Sequence, residues 1–116
     1  LEQGSSLTHF VAAREFIERE YHNPALDPEM VAKACFVSVR TLHNAFSAQG
    51  LTVASYIRDV RFDRVRRDLS DPFLVNDTIA EIARGCGLVD PAGFSRQFRK
   101  RFGMSASEYR TEILGR

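Results

Sequence analysis

Two stretches of this chain repeat one pattern of apolar, small and capping residues, and that repetition constrains the fold more than any other feature. Ala32 matches Ala83 and Cys35 matches Cys86 at a separation of 51. Leu42 matches Phe94 and Phe46 matches Phe98 at 52. Gly50 matches Gly103 and Tyr56 matches Tyr109 at 53. The drift requires two one-residue gaps. A repeat of residue type, spacing and cap signal over some thirty residues is hard to obtain by chance.

The second copy is the clearer one. Thr78 to Cys86 reads as a short helix, with Thr78 and Glu81 at capping-box spacing and Ile79, Ile82 and Ala83 on its apolar face. Gly85 and Gly87 bracket a sharp turn, where a left-handed residue is cheap only for glycine. Asp90 is placed to cap the next helix, and Pro91 suits its first position. At about 100° per residue, Phe94, Phe98 and Phe102 share one side of that helix, while Ala92, Gly93, Arg96, Arg99 and Lys100 lie on the other. A short helix, a tight turn and a helix anchored by Phe and facing outward with cations is what a helix-turn-helix DNA reader needs.

The first copy follows the same plan. Asp27-Pro28 opens a helix with Met30, Val31 and Ala34 as its apolar set. The turn CFVS lacks glycine, which places backbone strain at Phe36 or a neighbour. Ser38 caps a helix to about Gln49, with Leu42 and Phe46 inward and Arg40, Thr41, Asn44, Ser47 and Ala48 outward; Gly50 ends it. Ahead of this copy, Leu7 to Tyr21 is predicted as an amphipathic helix with Phe10, Ala13 and Ile17 on its inner face. Its acids Glu15, Glu18 and Glu20 form a solvated face that repels phosphates.

Between the copies, Thr52 caps a long helix from Val53 to about Leu69. Its apolar residues change sides midway: Val53, Tyr56, Ile57 and Val60 share one face, and Phe62, Val65 and Leu69 nearly the opposite one. The expected architecture is therefore all-α, about seven helices, with two helix-turn-helix subdomains joined by a long shared linker helix. The expected division is a disordered or artificially added tail at 1–6, a first subdomain at 7–52, the linker helix at 53–70 and a second subdomain at 71–116.

Formal net charge is only +1, so bulk charge does not announce nucleic acid. The distribution says more: residues 1–50 carry four Lys/Arg against six acids, a balance of −2, and residues 51–116 carry twelve against nine, +3. Cys35 and Cys86 are too few for a disulfide framework and no Cys/His spacing suits zinc; they read as reduced thiols in a cytoplasmic protein. No apolar run approaches the roughly 18 residues of a membrane span. No Gly-rich phosphate loop follows a strand, no carboxylate pair is convincingly sited and neither cysteine has an evident base, so an enzyme is not expected and no cofactor or metal is called for.

The stretch IAEIARGCGL…FSRQFRKRFGMSASEYR resembles the signature of the AraC/XylS family of bacterial transcription regulators, through Ile82-Ala83, Gly87, Phe94-Ser95-Arg96, Phe98, Phe102-Gly103 and Glu108-Tyr109-Arg110. The first copy matches more loosely. Leu88, Ala92 and Ala106 stand where the family commonly has Phe, Ser and Pro. The resemblance covers about residues 7 to 112 and implies a DNA-binding domain, in a transcription activator, that places two recognition helices in successive major-groove segments. It also implies a separate N-terminal sensing or dimerising domain in the full-length protein and RNA polymerase as a partner. The start at Leu1 rather than Met fits a fragment of something longer.

Base contacts are expected from Arg40, Thr41 and Asn44 in the first reader and from Ala92 and Arg96 in the second. Arginine takes guanine O6 and N7 together, asparagine takes adenine N6 and N7, and small apolar groups meet thymine methyls. Phosphate contacts are expected from Thr52, Arg58, Arg61, Ser95, Arg99, Lys100 and Ser105, the two helix-capping residues among them through backbone N–H groups. Pro91, Ala92 and Gly93 leave the tip of the second reader chemically bare. The competing reading is a helical protein-interaction module that contacts the transcription machinery without specific DNA binding.

Overall fold

The computed structural model describes the chain from Glu2 to Gly115, with side chains from Ser5 onward. Among the described residues there are seven α-helices and no strand, as expected: α1 (Glu2–Glu20), α2 (Pro28–Ala34), α3 (Val39–Ser47), α4 (Val53–Leu69), α5 (Ile79–Gly85), α6 (Pro91–Phe102) and α7 (Ala106–Leu114), with a single 3-10 turn at Pro72–Leu74. The first helix begins at Glu2, so the tail expected at 1–6 is helical from that point. Extending an existing helix by one residue adds a hydrogen bond without a new nucleus, and the polar residues ahead of Leu7 need no buried face to join it.

The chain divides into two compact units inside α4, the first ending at Val60 and the second beginning at Arg61. The helix expected at 53–70 as a shared linker is thus divided between the two units. The reason is the switch of apolar faces: Val53 and Ile57 are buried with the first unit's core, and Phe62, Val65 and Leu69 are buried residues of the second. Each half of α4 is a wall of its own unit.

In the first unit Phe10, Ala13 and Ile17 of α1 pack with Val31 and Ala32 of α2, Leu42, Ala45 and Phe46 of α3, and Val53 and Ile57. Phe10 meets Phe46 edge-on at 4.9 Å, and Phe46 meets Tyr56 at 5.7 Å. Each large apolar side chain fully removed from water contributes about 1.5–3 kcal/mol relative to exposure. The second unit is built on a run of rings. Phe62 stacks on Phe94 at 5.7 Å and 8°, Phe94 touches Phe98, and Phe98 touches Phe102 and Tyr109. Arg101 lies over Phe62 at 4.7 Å and Arg66 over Phe102 at 5.3 Å.

The repeat reaches further back than the sequence comparison carried it. Phe10, Ala13 and Ile17 correspond to Phe62, Val65 and Leu69, all at a separation of 52. The C-terminal half of α4 thus does for the second unit what α1 does for the first. The matching tyrosines support the same pairing. Tyr56 donates to the Glu18 carboxylate at 3.4 Å, 38 residues back. Tyr109 lies 3.2 Å from Ser70, 39 residues back; Ser70 gives its own proton to the Arg66 carbonyl, so Tyr109 is the donor.

The two helix-helix turns share one hydrogen-bond scheme. Val37 N–H reaches Ala32 O and Leu88 N–H reaches Ala83 O, both at 3.0 Å. The left-handed residue of the second turn is Gly87 at φ 86°, whereas Gly85 is simply the last residue of α5. The first turn puts Phe36 there at φ 59°, fully in line with a turn that has no glycine to offer. Phe36 is 96% exposed, so no packing offsets the strain of roughly 1–2 kcal/mol.

Candidate nucleic-acid interface

In the first unit, α3 starts at Ser38, whose oxygen accepts the Thr41 N–H at 3.0 Å. Leu42, Ala45 and Phe46 pin one side of α3 to the core. Arg40 and Asn44 stand exposed on the other, four residues and about 6 Å of rise apart. Thr41 is half-buried, about 100° round the helix from Arg40, and its hydroxyl accepts from Ser38 at 3.0 Å. Thr41 thus stands at the edge of the outward face. His43 and Ser47 are both exposed: Ser47 lies close to the axis set by Arg40 and Asn44, and His43 stands about 80° from it, as Thr41 does on the other side.

At the start of α4, Thr52 accepts the Ser55 N–H at 3.1 Å, and the first turn holds no acid. Arg58 is exposed, as a phosphate contact should be. Arg61 is half-buried, and that burial lowers its pKa from the ordinary arginine value. It is less available to a phosphate than its neighbour.

In the second unit, Phe94 and Phe98 anchor α6, and Ala92, Ser95, Arg96, Arg99 and Lys100 are all exposed. Asp90 occupies the N-cap position, but its side chain makes no cap hydrogen bond, contrary to expectation. Its ψ of 105° differs from the 158° to 171° at Asp27, Ser38, Thr78 and Ser105, whose side chains do accept. The carboxylate leans over Gly93 instead: a Cβ there would lie 2.4 Å from Asp90 Oδ2. Glycine at 93 therefore reflects the space taken by its neighbour on the reader's flank.

Ser105 caps α7 by accepting the Glu108 N–H at 3.0 Å, while its own N–H donates to Glu108 Oε1 at 2.9 Å. The same carboxylate oxygen receives Arg99 at 3.4 Å. These bonds, the backbone one foremost, hold the Glu108 pKa below the ordinary glutamate range. Two expected phosphate contacts, Ser105 and Arg99, thus already face an internal anion. Ser95, Arg99 and Ser105 border one cleft of about 270 Å³ whose floor includes Ile79, Ala83, Leu88 and Phe94.

Of the two free thiols, Cys86 lies in the interior and Cys35 is half-buried. Cys86 is buried and donates to Asp68 at 3.6 Å; burial first, then the Asp68 charge, pushes its pKa up to about 12. Burial likewise raises Cys35, against the opposing pull of Arg19. Among the described residues no group of three or more His, Cys, Asp or Glu is placed to hold a metal ion, and no helix is long and apolar enough to cross a membrane.

Comparison with known proteins agrees with this geometry. A family model described as a helix-turn-helix domain matches residues 31–112. The transcriptional activator NphR of a Rhodococcus species is 33% identical over 96 residues, covering 83% of this chain and 28% of NphR. The crystal structure of an AraC-type transcriptional regulator from Chromobacterium violaceum superposes with a TM-score of 0.82 at 23% identity, covering 95% of this chain and 96% of that one. The DNA-binding domain of AdpA, solved in complex with a target DNA, gives a TM-score of 0.78 at 23% identity, covering 89% and 90%. The chain spans only 28% to 40% of the length of the first curated relatives it matches. On the family match and on two helix-turn-helix units of one plan, this chain belongs to the AraC/XylS family of helix-turn-helix transcription regulators.

Proposed function

We propose that the chain binds double-stranded DNA sequence-specifically, each unit offering one reader helix to the major groove, as the DNA-binding part of a bacterial transcription activator. One observation carries this reading: each unit buries one side of its second helix-turn-helix helix, by Leu42 and Phe46 or by Phe94 and Phe98, and leaves the other side polar or cationic and open. Arg40, Asn44 and Arg96 are the base-reading side chains, with His43 beside them. Arg58, Ser95, Lys100 and Thr52 position the backbone, and Arg99 and Ser105 join them where a phosphate displaces the Glu108 carboxylate. The activator role rests on the name of NphR, and AdpA supplies the precedent of a similarly folded domain seated on its DNA.

The test is binding of the chain to labelled duplexes across a salt series, followed by selection from a random-sequence pool. Phosphate neutralisation gives a linear fall of log affinity with log salt, steeper by about 0.9 per phosphate contact. The expected result is salt-dependent binding with recovery of a motif. A domain that contacts only proteins of the transcription machinery gives no duplex binding at any salt, and that outcome would refute the proposal.

A further inference from the structure

We infer that the two readers divide the work: the first unit selects the sequence, and the second grips the backbone and specifies at most one base pair. This rests on the DNA reading proposed above. The repeat allows the two reader surfaces to be compared position by position. At a separation of 52, Arg40 corresponds to Ala92 and Asn44 to Arg96. All four positions are exposed on the reader surfaces. Both polar readers in the first unit carry paired donor and acceptor or fork geometry suited to a base edge. In the second unit the leading position is a methyl group, and only Arg96 has the reach and the fork to meet a base.

Charge runs the other way. Ser47 and Ala48, near the end of α3, correspond to Arg99 and Lys100 near the end of α6. A neutral surface has become a cationic one, in the half of the helix away from the tip. Cations orient a protein on the duplex without carrying sequence information. The tip of α6 carries the Asp90 carboxylate, which is not tied down by a cap bond and leans over Gly93. A negative charge there disfavours close seating against phosphates. The first turn of α3 carries no acid, Arg40 stands in it, and its cap Ser38 is used within the helix. One reader is thus equipped at its tip for bases, the other along its length for phosphates.

The experiment is random-pool selection followed by affinity measurement on single-base variants of the recovered site, with circular dichroism confirming that each protein is folded. Wild type is expected to return one block of strongly specified bases and a second block with at most one specified position. Arg40→Ala and Asn44→Ala each flatten discrimination of about 5- to 150-fold at one position of the strong block. Lys100→Ala weakens every site alike and lowers the salt slope by about one contact. Ala92→Arg, which installs the first reader's side chain in the second, adds a specified position to the weak block.

Two equally informative blocks in wild type would overturn the division while leaving DNA reading intact. So would an Ala92→Arg protein with an unchanged motif, because the bareness of α6 would then not be the reason for its silence. Salt-dependent binding with no motif would overturn selection by the first unit but not DNA binding. Absence of duplex binding would overturn the earlier reading and this one together.

Discussion

Arg110 offers the sharpest test of what holds the second unit together. It is 9% exposed, and its guanidinium donates to Leu74 O and to Asp77 O, both at 2.6 Å. Those carbonyls lie 36 and 33 residues earlier, so one side chain on α7 fastens the segment that leads from the 3-10 turn into α5. Hydrogen bonds to a charged group contribute about 1.5–3 kcal/mol each. Asp77 is exposed and Leu74 half-buried, so water replaces one bond well and the other partly. The buried Nε has no hydrogen-bond partner among the described residues, which offsets some of the gain. Arg110→Ala is therefore expected to destabilise the second unit by about 2–4 kcal/mol, and Arg110→Lys, which keeps one bond at most, by about half that. For a unit of this size each kcal/mol moves the melting midpoint by roughly 4–8 °C. Urea and thermal unfolding followed by far-ultraviolet circular dichroism would show the loss, and Tyr109, beside the substitution, gives a local fluorescence probe in a chain without Trp. If Arg110→Ala unfolds within about 0.5 kcal/mol of wild type, water satisfies both carbonyls and the fastening argument is wrong.

Other consequences can be checked with the same preparations. Phe36→Gly is expected to stabilise the first unit by up to about 1 kcal/mol, the relief of a left-handed side chain less the added freedom of the unfolded glycine, whereas Phe36→Val destabilises it; urea midpoints decide. Native protein at neutral pH should lose Cys35 to a thiol reagent well before Cys86, which stays protonated with a pKa of about 12 and reacts only as the second unit unfolds. Equal rates would contradict the burial. Glu81 and Glu108 titrate below the ordinary glutamate value because each accepts a backbone N–H, from Thr78 and Ser105 respectively. Their folded pKa is lowered, so the stability they add is present above about pH 4.3 and is lost as pH falls through the depressed value. Carboxyl chemical shifts followed by NMR would give a Glu108 midpoint below that of an ordinary glutamate, and Glu108→Gln would remove its share of the acid sensitivity.

The helices were legible because local signals agreed with each other. Pro after a capping Asp, a Gly or a strained residue in the turn, and Phe or Leu every fourth position all pointed to the same elements. The outward side chains followed from the same wheel, which is why Arg40, Asn44, Arg96 and Lys100 emerge exposed. The use of α4 as two walls was visible in its switch of faces, but its kinship with α1 was hidden by the difference between Ala13 and Val65. Arg110 was invisible as a fastening, since carbonyls carry no mark in a sequence. The same holds for Asp90, which has the residue type of a cap and a backbone angle that defeats it.

Two cores, each closed by its own half of α4, also describe a history. Because each lining is closed within its own unit, a substitution in one core acts first on that unit, and the outward faces of the two copies can differ without disturbing either core. The aromatic and aliphatic scaffolding stayed in step, as Phe46 and Phe98 still record, while the outward letters diverged from Arg to Ala and from Ser to Arg. Fusion through a common helix carried an obligation as well: a fragment ending at residue 52 forfeits Val53 and Ile57, and one starting at 71 forfeits Phe62, Val65 and Leu69. Neither unit can be shed by trimming at the loops, because the cut would leave the other copy's half of α4 behind or take a wall away.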